Sequence, residues 1–365
     1  MEALYKNIYK GKKVLITGHT GFKGSWLSLW LLDLGAKIAG YSLPPPSNPS
    51  HHDILEFDIE SRTGDIRDTN SLNRFIKHFK PDIVVRLAAQ SIVRKSYREP
   101  IATLETNIIG TANILEACRE TDSVRAILNI TSDKCYENQE WIWGYRENDR
   151  LGGHDPYSAS KGCSEIITES YRKSFFPLNE YQKEHQTLVA SARSGNVIGG
   201  GDWGEDRIIP DIVRATSQNE KVHIRNPHAT RPWQHVLEPL SGYLLLGQRL
   251  LEEKRKFSGA WNFGPSDDAH MNVLSVVENL QKHWPQIDYA ISTVNKNPHE
   301  ANLLKLDCSK ARTKLLWTPI WDSNIIFAKT ATWYRQYYES GKVISVEQIK
   351  EYINDAKLIK TMWTN

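Results

Sequence analysis

The sequence predicts an α/β protein: a doubly wound parallel sheet, with a smaller mixed α/β region in its C-terminal part. Three observations lead there. Through the first half, compact apolar runs alternate with amphipathic stretches at regular spacing, the signature of strands joined by helical crossovers. The runs are apolar throughout rather than at every second residue, as in strands covered on both faces. From about Arg193 the rhythm breaks, and Pro, Trp, Asn and Arg crowd into short segments.

Taken in order, Lys13–Thr17 (KVLIT) reads as the first strand and Gly24–Leu34 as the first helix. Lys37–Tyr41 is a second strand, closed by the Pro/Ser-rich loop LPPPSNPS. In Thr69–Phe79, Leu72, Phe75, Ile76 and Phe79 recur at helical spacing. Asp82–Leu87 (DIVVRL) is another buried strand, and Leu104, Ile108, Ala112 and Leu115 line one face of a helix over Pro100–Cys118. Ala126–Ile130 is the next strand. Pro156–Phe175 is the next helix, with Asp155 as its N-cap and Pro156 in its first turn. The expected division is a nucleotide-binding domain over 1–190, rejoined by a segment at about 236–265. Residues 191–235 and 266–365 would form the smaller domain that closes over a ligand.

Composition narrows the class. With 365 residues, 40% hydrophobic and 24% charged, the chain is an ordinary globular one. A net charge of +3 gives no basis for a nucleic-acid or membrane-surface partner. No apolar run reaches transmembrane length, and MEALYKNIYKGKK lacks the core of a secretory signal. Cys118, Cys135, Cys163 and Cys308 match no zinc or redox spacing, so reduced thiols, no metal and a cytoplasmic location are expected.

KVLITGHTGFKGSWL places Gly18, Gly21 and Gly24 between the first strand and first helix. Glycines there let the backbone turn tightly and approach a pyrophosphate, whose charge sits at the helix N-terminus. GDIRD puts Asp65 after a third strand, where adenine is contacted in such folds, and LAAQS (Leu87–Ser91) ends the fourth with small residues that leave room for a dinucleotide. Together they specify a Rossmann-type sheet. The acid that would bind a ribose 2′-hydroxyl is missing, since Tyr41-Ser42-Leu43 ends the second strand. No Lys or Arg occurs from Ser42 to Ser50 to meet a 2′-phosphate, so NAD is expected in preference to NADP.

DPYSASKG supplies Tyr157 and Lys161, four residues apart on one helix face. A free phenol, with a pKa near ~10, is a poor base, and a neighbouring ammonium would favour its ionised form. Ser132 lies one loop upstream in NITSDKCYEN, where it would hydrogen-bond the reacting oxygen. In that order the three residues suit proton and hydride transfer at a sugar hydroxyl.

AAQSIVRKS, ETNIIGT, TSDKCYEN, DPYSASKG and RPWQHV, in this order and over nearly the whole chain, resemble the extended short-chain dehydrogenase/reductases that act as sugar-nucleotide 4,6-dehydratases. Most members carry Asp-Glu after the Ser/Thr; here Asp133-Lys134 stands instead. With GHTGFKGSWL and RPWQHV, that departure resembles the CDP-glucose branch. The resemblance implies C4 oxidation, loss of water from C5/C6 and hydride return to C6. It assigns Asp133 as the acid at the C6 oxygen and Lys134 as the C5 base, with an electrostatic role for Lys134 left open. For NAD it implies Gly18, Thr20, Gly21, Phe22, Lys23, Gly24, Asp65, Ile66, Leu87, Ala88, Ala89 and Thr106, beside Tyr157 and Lys161. For the nucleotide sugar it implies Ser91, Asn196, Arg207, Arg231 and His299. Arg193, Arg214 and Arg225 are further candidates to clamp the diphosphate. The helices Pro100–Cys118 and Pro156–Phe175 pair in such oligomers, so a homo-dimer or tetramer is expected. Rival readings are a 4,6-dehydratase for another nucleotide sugar, a 4-epimerase, and a non-catalytic nucleotide-sugar binder.

Overall fold

The computed structural model describes residues 4–224, 226–266, 270–291 and 303–364. β1 (Lys13–Thr17), α1 (Phe22–Asp33), β2 (Lys37–Ser42), α2 (His51–Leu55) and β3 (Glu60–Thr63) come first. α3 (Thr69–Phe79) leads to β4 (Ile83–Arg86). Then α4 (Val93–Arg98), α5 (Pro100–Leu104), a π-helical turn (Glu105–Ile109) and α6 (Gly110–Arg119) lead to β5 (Ala126–Ile130). α7 (Pro156–Ser174) is followed by β6 (Leu188–Ser194).

These strands, with β10 below, form one seven-stranded sheet in the order β10-β6-β5-β4-β1-β2-β3, parallel at every pairing. The chain winds outward from β1 through β3, then returns to the other side of β1 at β4. The order therefore reverses between β1 and β4, and a crevice opens beyond their carboxyl ends, where ligands bind in such sheets. β3 (ESRT) is exposed along its whole length, so no apolar run announces it.

The smaller region begins at β7 (Asn196–Ile198), with α8 (Ile208–Ser217), β8 (Val222–Ile224) and β9 (Thr230–His235). α9 (Leu237–Leu251) and β10 (Gly259–Phe263) return to the main sheet. β11 (His270–Asn272), α10 (Val273–His283), β12 (Tyr289–Ile291), α11 (Ser323–Ser340) and α12 (Ser345–Leu358) follow. β11-β9-β7 and β12-β8 make two small sheets.

One face of the main sheet is covered by α1 and α9, with Trp26, Trp30, Leu240 and Leu244 in one core; the other is covered by α3, α6 and α7, with Leu72, Ile76, Ile114 and Leu115 in a second. The packing cuts across the expected 266–365 unit. Trp317 Nε1 donates to Ser241 Oγ on α9 at 2.9 Å, and Trp363 stacks on Tyr5 with ring centroids 5.1 Å apart. The Glu238 carboxylate, at the start of α9, accepts from the backbone N–H groups of Ile320 and Trp321 and from the Tyr352 hydroxyl. Aromatic burial against α1 and α9 thus draws the chain's end back to the nucleotide-binding half.

Two local expectations change. α1 starts at Phe22, two residues early, because extended Gly21 (ψ 168°) already leads into the helix. The expected helix over Pro100–Cys118 is interrupted by the π turn, and Leu104, Ile108 and Ala112 are only half-buried. The fully buried row is polar: Thr103, Asn107 and Thr111. Asn107 Nδ2 donates to Ser160 Oγ at 2.8 Å, and Thr111 and Ser164 hydroxyls meet at 3.0 Å. Satisfied hydrogen bonds offset the cost of burying these groups, so α6 and α7 meet through polar side chains that a search for apolar spacing overlooks.

The β1–α1 turn explains two of its glycines. Gly18 has φ +79°, and a Cβ there would stand 2.7 Å from the Ala88 backbone nitrogen. A Cβ on Gly24 would lie 2.1 Å from the Gly18 carbonyl oxygen. Gly24→Ala should therefore force α1 off the turn, costing roughly 1–3 kcal/mol. Chemical denaturation beside an NAD titration checks this: both stability and nucleotide affinity fall.

Candidate active site

Beyond the carboxyl ends of β1, β4, β5 and β6 lies a cleft of about 1920 Å³. A pocket for one drug-sized ligand measures roughly 300–1,000 Å³, so this cleft has room for two such ligands side by side. At one end it is lined by Gly18, Thr20, Gly21, Phe22, Lys23, Gly24, Asp65, Ile66, Leu87, Ala88, Ala89 and Thr106. The turn fits a pyrophosphate: at Gly21 an added Cβ would point into open space except for the Gly18 carbonyl at 3.4 Å, so the cradle is clear. Beside it, the Thr20 and Ser42 hydroxyls meet at 2.8 Å, and Leu43, Pro44 and Ser47 continue the wall without a cation. Arg67 clamps the Asp65 carboxylate from Nε and Nη2, the shortest contact being 2.7 Å, and holds its pKa below the usual carboxylate range.

The middle of the cleft holds Ser132, Asp133, Lys134, Tyr157 and Lys161. β5 ends at Ile130, and Ser132 in extended conformation caps a one-turn helix over Asp133–Cys135, accepting from the Lys134 backbone N–H at 3.2 Å. Its hydroxyl donates to Asp133 Oδ1 at 2.8 Å, and Lys134 Nζ lies 3.7 Å from the same oxygen. Asp133 is only 1% exposed, yet its Oδ2 has no hydrogen-bond partner within the protein. A buried carboxylate oxygen left open costs free energy unless a ligand completes it, so this atom is set to meet a substrate hydroxyl. Lys134 lines the same cleft and keeps about a quarter of its side chain exposed.

Tyr157 and Lys161 share a face of α7, the Lys161 ammonium nitrogen 5.8 Å from the phenol ring centroid. Burial works against the ionisation expected from the bare pair. Burial pushes the phenol up to about 12, opposed by the nearby Ser132 hydroxyl. Lys161 falls well below its usual value because it is buried and faces two further cations, Arg86 and Lys23. Lys23 donates to Ser194 Oγ at 2.8 Å and is lowered to about 8, first by loss of solvent, with Asp133 pulling it back up.

Beneath the Ser132–Cys135 turn lies a buried ion pair. Arg193 Nη2 donates to Glu165 Oε2 at 2.8 Å; Glu165 also accepts from the Thr131 and Ser191 hydroxyls, and Arg193 Nη1 donates to Tyr136 at 2.7 Å. Arg193 is thus a support for the turn and not a diphosphate clamp, because it pairs with Glu165 beneath the cleft wall and does not line the cleft. Arg193→Met would leave Glu165 buried and uncompensated, at a cost of roughly 3–5 kcal/mol, readable by urea denaturation.

The far end of the cleft is basic. Arg207 precedes α8, donates to Asp202 at 2.9 Å and reaches Ser91 Oγ at 2.9 Å; Asn196 and Arg231 line the same wall. Arg94, from α4, also lines it and lies 3.7 Å from Asp206. Arg94 went unassigned in the sequence although it stands within AAQSIVRKS. Arg214 is turned away, bound to Asp211 and the Trp203 carbonyl. His299 and Arg225 lie outside the described residues. Among the described residues, no group of His, Cys, Asp and Glu is placed to hold a metal ion.

A family model described as GDP-mannose 4,6 dehydratase matches residues 15–330. The chain belongs to that family. Among curated members and relatives, it is 48% identical to the CDP-glucose 4,6-dehydratase of Salmonella typhimurium, over 96% of this chain and 98% of that one. It is 30% identical to the CDP-paratose 2-epimerase of Salmonella typhi, over 84% of this chain and 94% of that one. In structure it resembles an epimerase of Methanothermobacter thermautotrophicus (TM-score 0.80, 24% identity, 92% and 95% of the two chains). It also resembles the dTDP-glucose 4,6-dehydratase of Streptomyces venezuelae (TM-score 0.72, 21% identity, 89% and 97%). At these identities the structural likenesses speak for the fold alone.

For a 4,6-dehydratase, Gly195 acquires a specific meaning. A Cβ there would come within 3.2 Å of Asp133 Oδ2 and 3.0 Å of Pro232. Gly195→Ala should crowd the open carboxylate oxygen, slowing water loss about tenfold or more, in line with the cost of overpacking, while NAD affinity stays at the native level. Single-turnover kinetics and an NAD titration separate the two effects.

Proposed function

We propose that this protein converts CDP-D-glucose to CDP-4-dehydro-6-deoxy-D-glucose and water, with NAD regenerated at each turnover. The observation that carries the reading is the buried, open Asp133 carboxylate oxygen in the same cleft as Tyr157, Lys161 and Lys134. A 4-epimerase has no use for a proton donor placed to expel a C6 hydroxyl. The 48% identity along nearly the full chain supports CDP-glucose in particular.

NAD, when bound, accepts the C4 hydride and later returns it to C6. The residues suited to hold it are those of the glycine turn, with Asp65 at the adenine end and Leu87–Ala89 along the strand. Tyr157 takes the C4 hydroxyl proton, with Ser132 hydrogen-bonded to the same oxygen. The resulting ketone acidifies C5–H. Lys134 removes that proton, the C6–O bond breaks, and Asp133 gives the departing oxygen its proton, so the group leaves as water. Hydride return to C6 is matched by a proton returned to C5. Arg207, Arg231 and Arg94 would take the diphosphate, with Asn196 and Ser91 beside the sugar.

Two copies would pair through α4–α6 and α7, whose outer surfaces expose Tyr97, Ile101, Ile109, Ile166 and Phe175. Native mass spectrometry reads whether the assembly is a dimer or a tetramer. Four free cysteines agree with a reducing cytoplasm, and the product would feed deoxysugar synthesis for surface polysaccharide such as O-antigen.

The deciding experiment incubates the protein with NAD and, separately, CDP-, dTDP-, GDP- and UDP-sugars, with products read by NMR. A 4-keto-6-deoxy product from CDP-glucose alone is expected. Inversion at C4 with no loss of water would mean an epimerase, and no turnover with any sugar would mean a binding protein.

A further inference from the structure

Arg86 ends β4 with its side chain in the interior, 1% exposed. Arginine is almost never fully buried unless it is paired, yet its hydrogen-bond partners here are amide oxygens. Nη1 donates to Asn129 Oδ1 at 3.3 Å and Nη2 to the Asn107 carbonyl at 3.4 Å, both long, and Nε has no partner. The two asparagines fix where this charge sits. Asn107 Nδ2 donates to Ser160 Oγ, and Asn129 Nδ2 donates to Ser164 and Thr168 Oγ atoms. Ser160 and Ser164 flank Lys161 on α7. The guanidinium is therefore locked on the sheet side of the Tyr157/Lys161 pair.

Resting on the proposed reaction, we infer that Arg86 is a positioning residue for proton transfer: its permanent charge, set behind Lys161, favours the ionised form of Tyr157. Arginine keeps its proton under all working conditions, whereas burial and two neighbouring cations weaken the hold of Lys161 on its own. A buried cation without a counter-ion is itself relieved when a negative charge forms nearby, and the phenolate is that charge. The other groups facing the pair are Lys23 from α1, Ser132, Asp133 and Cys135 from the turn after β5, Asp155 and Glu165 from α7, and Arg207 before α8. The two carboxylates nearest the phenol, Asp133 and Asp155, oppose its ionisation, so cations must outweigh them. Burial lowers the Arg86 guanidinium to about 10 and Tyr157 draws it back up, which agrees with this placement.

The test is the pH profile of C4 oxidation in the full chain with NAD and CDP-glucose, followed in single turnovers by the absorbance of reduced nicotinamide. Arg86→Gln keeps hydrogen-bonding capacity but removes the charge; its profile should move to higher pH by about one unit. Arg86→Lys should stay close to the native profile, and NAD affinity should change in neither. Should Arg86→Gln fail to fold, Asn129→Asp sets a carboxylate against Nη1 and should produce the same upward move. An unmoved profile in the charge-neutralised variant, or equal loss at every pH in Arg86→Gln and Arg86→Lys, overturns the inference and leaves Arg86 a packing residue. Absence of turnover in the native chain would instead overturn the proposed reaction.

Discussion

Tyr157→Phe is expected to slow C4 oxidation by roughly 10²–10⁴-fold, the usual contribution of a positioned acid–base group, and thereby to stop every later step. The effect is large because the two nearest polar groups of the turn after β5 are engaged elsewhere. Ser132 donates to Asp133, and Asp133 turns its open oxygen to the C6 side of the reaction as proposed. The ring itself stays packed on α7 with Lys161 near its face, so phenylalanine keeps the shape and loses only the exchangeable proton. NAD and CDP-glucose affinities should remain near native while reduced nicotinamide no longer forms in a single turnover. A variant that still oxidises C4 at the native rate would remove Tyr157 from the chemistry.

Lys134→Met is expected to separate the steps. C4 oxidation continues, because Tyr157, Lys161 and the glycine turn are untouched. Loss of water falls by roughly 10²–10⁴-fold if Lys134 is the C5 base. Reduced nicotinamide then accumulates, and the 4-keto sugar retains its C6 hydroxyl, which NMR detects directly. Methionine matches the lysine stem in length, so the wall of the cleft is preserved. Dehydration at the native rate would show that Lys134 is not the base; retained C5–H exchange without water loss would instead point to an electrostatic role at the C6 side.

Much of this site was legible in the chain because its parts are local. The glycine turn, the Ser132–Lys134 run and the Tyr157–Lys161 spacing each lie within one strand end, turn or helix face, where sequence distance equals spatial distance. Their order along the chain then placed all three at the carboxyl ends of neighbouring strands. β3 was harder to read because its residues are exposed and carry no apolar run. Over Pro100–Cys118 the apolar spacing points to Leu104, Ile108 and Ala112, whereas the fully buried row is the hydrogen-bonded Thr103, Asn107 and Thr111.

The sign of the ionisation shifts could not be read from spacing at all. Tyr157 and Lys161 are four residues apart in any sequence with this motif, but Arg86 comes from β4 and Lys23 from α1, and only folding sets them against the same amine. Likewise Arg193 looked like a diphosphate ligand until Glu165, from another element, was seen to hold it.

By itself, then, the sequence determined the parallel sheet, the nucleotide-binding turn and which side chains are chemically able to move protons, since each follows from short-range pattern and residue type. The tertiary structure decided which of those groups are buried against other charges, which are already paired and which carboxylate oxygen stays open. Burial and electrostatic coupling act through space, between residues that the chain keeps tens of positions apart.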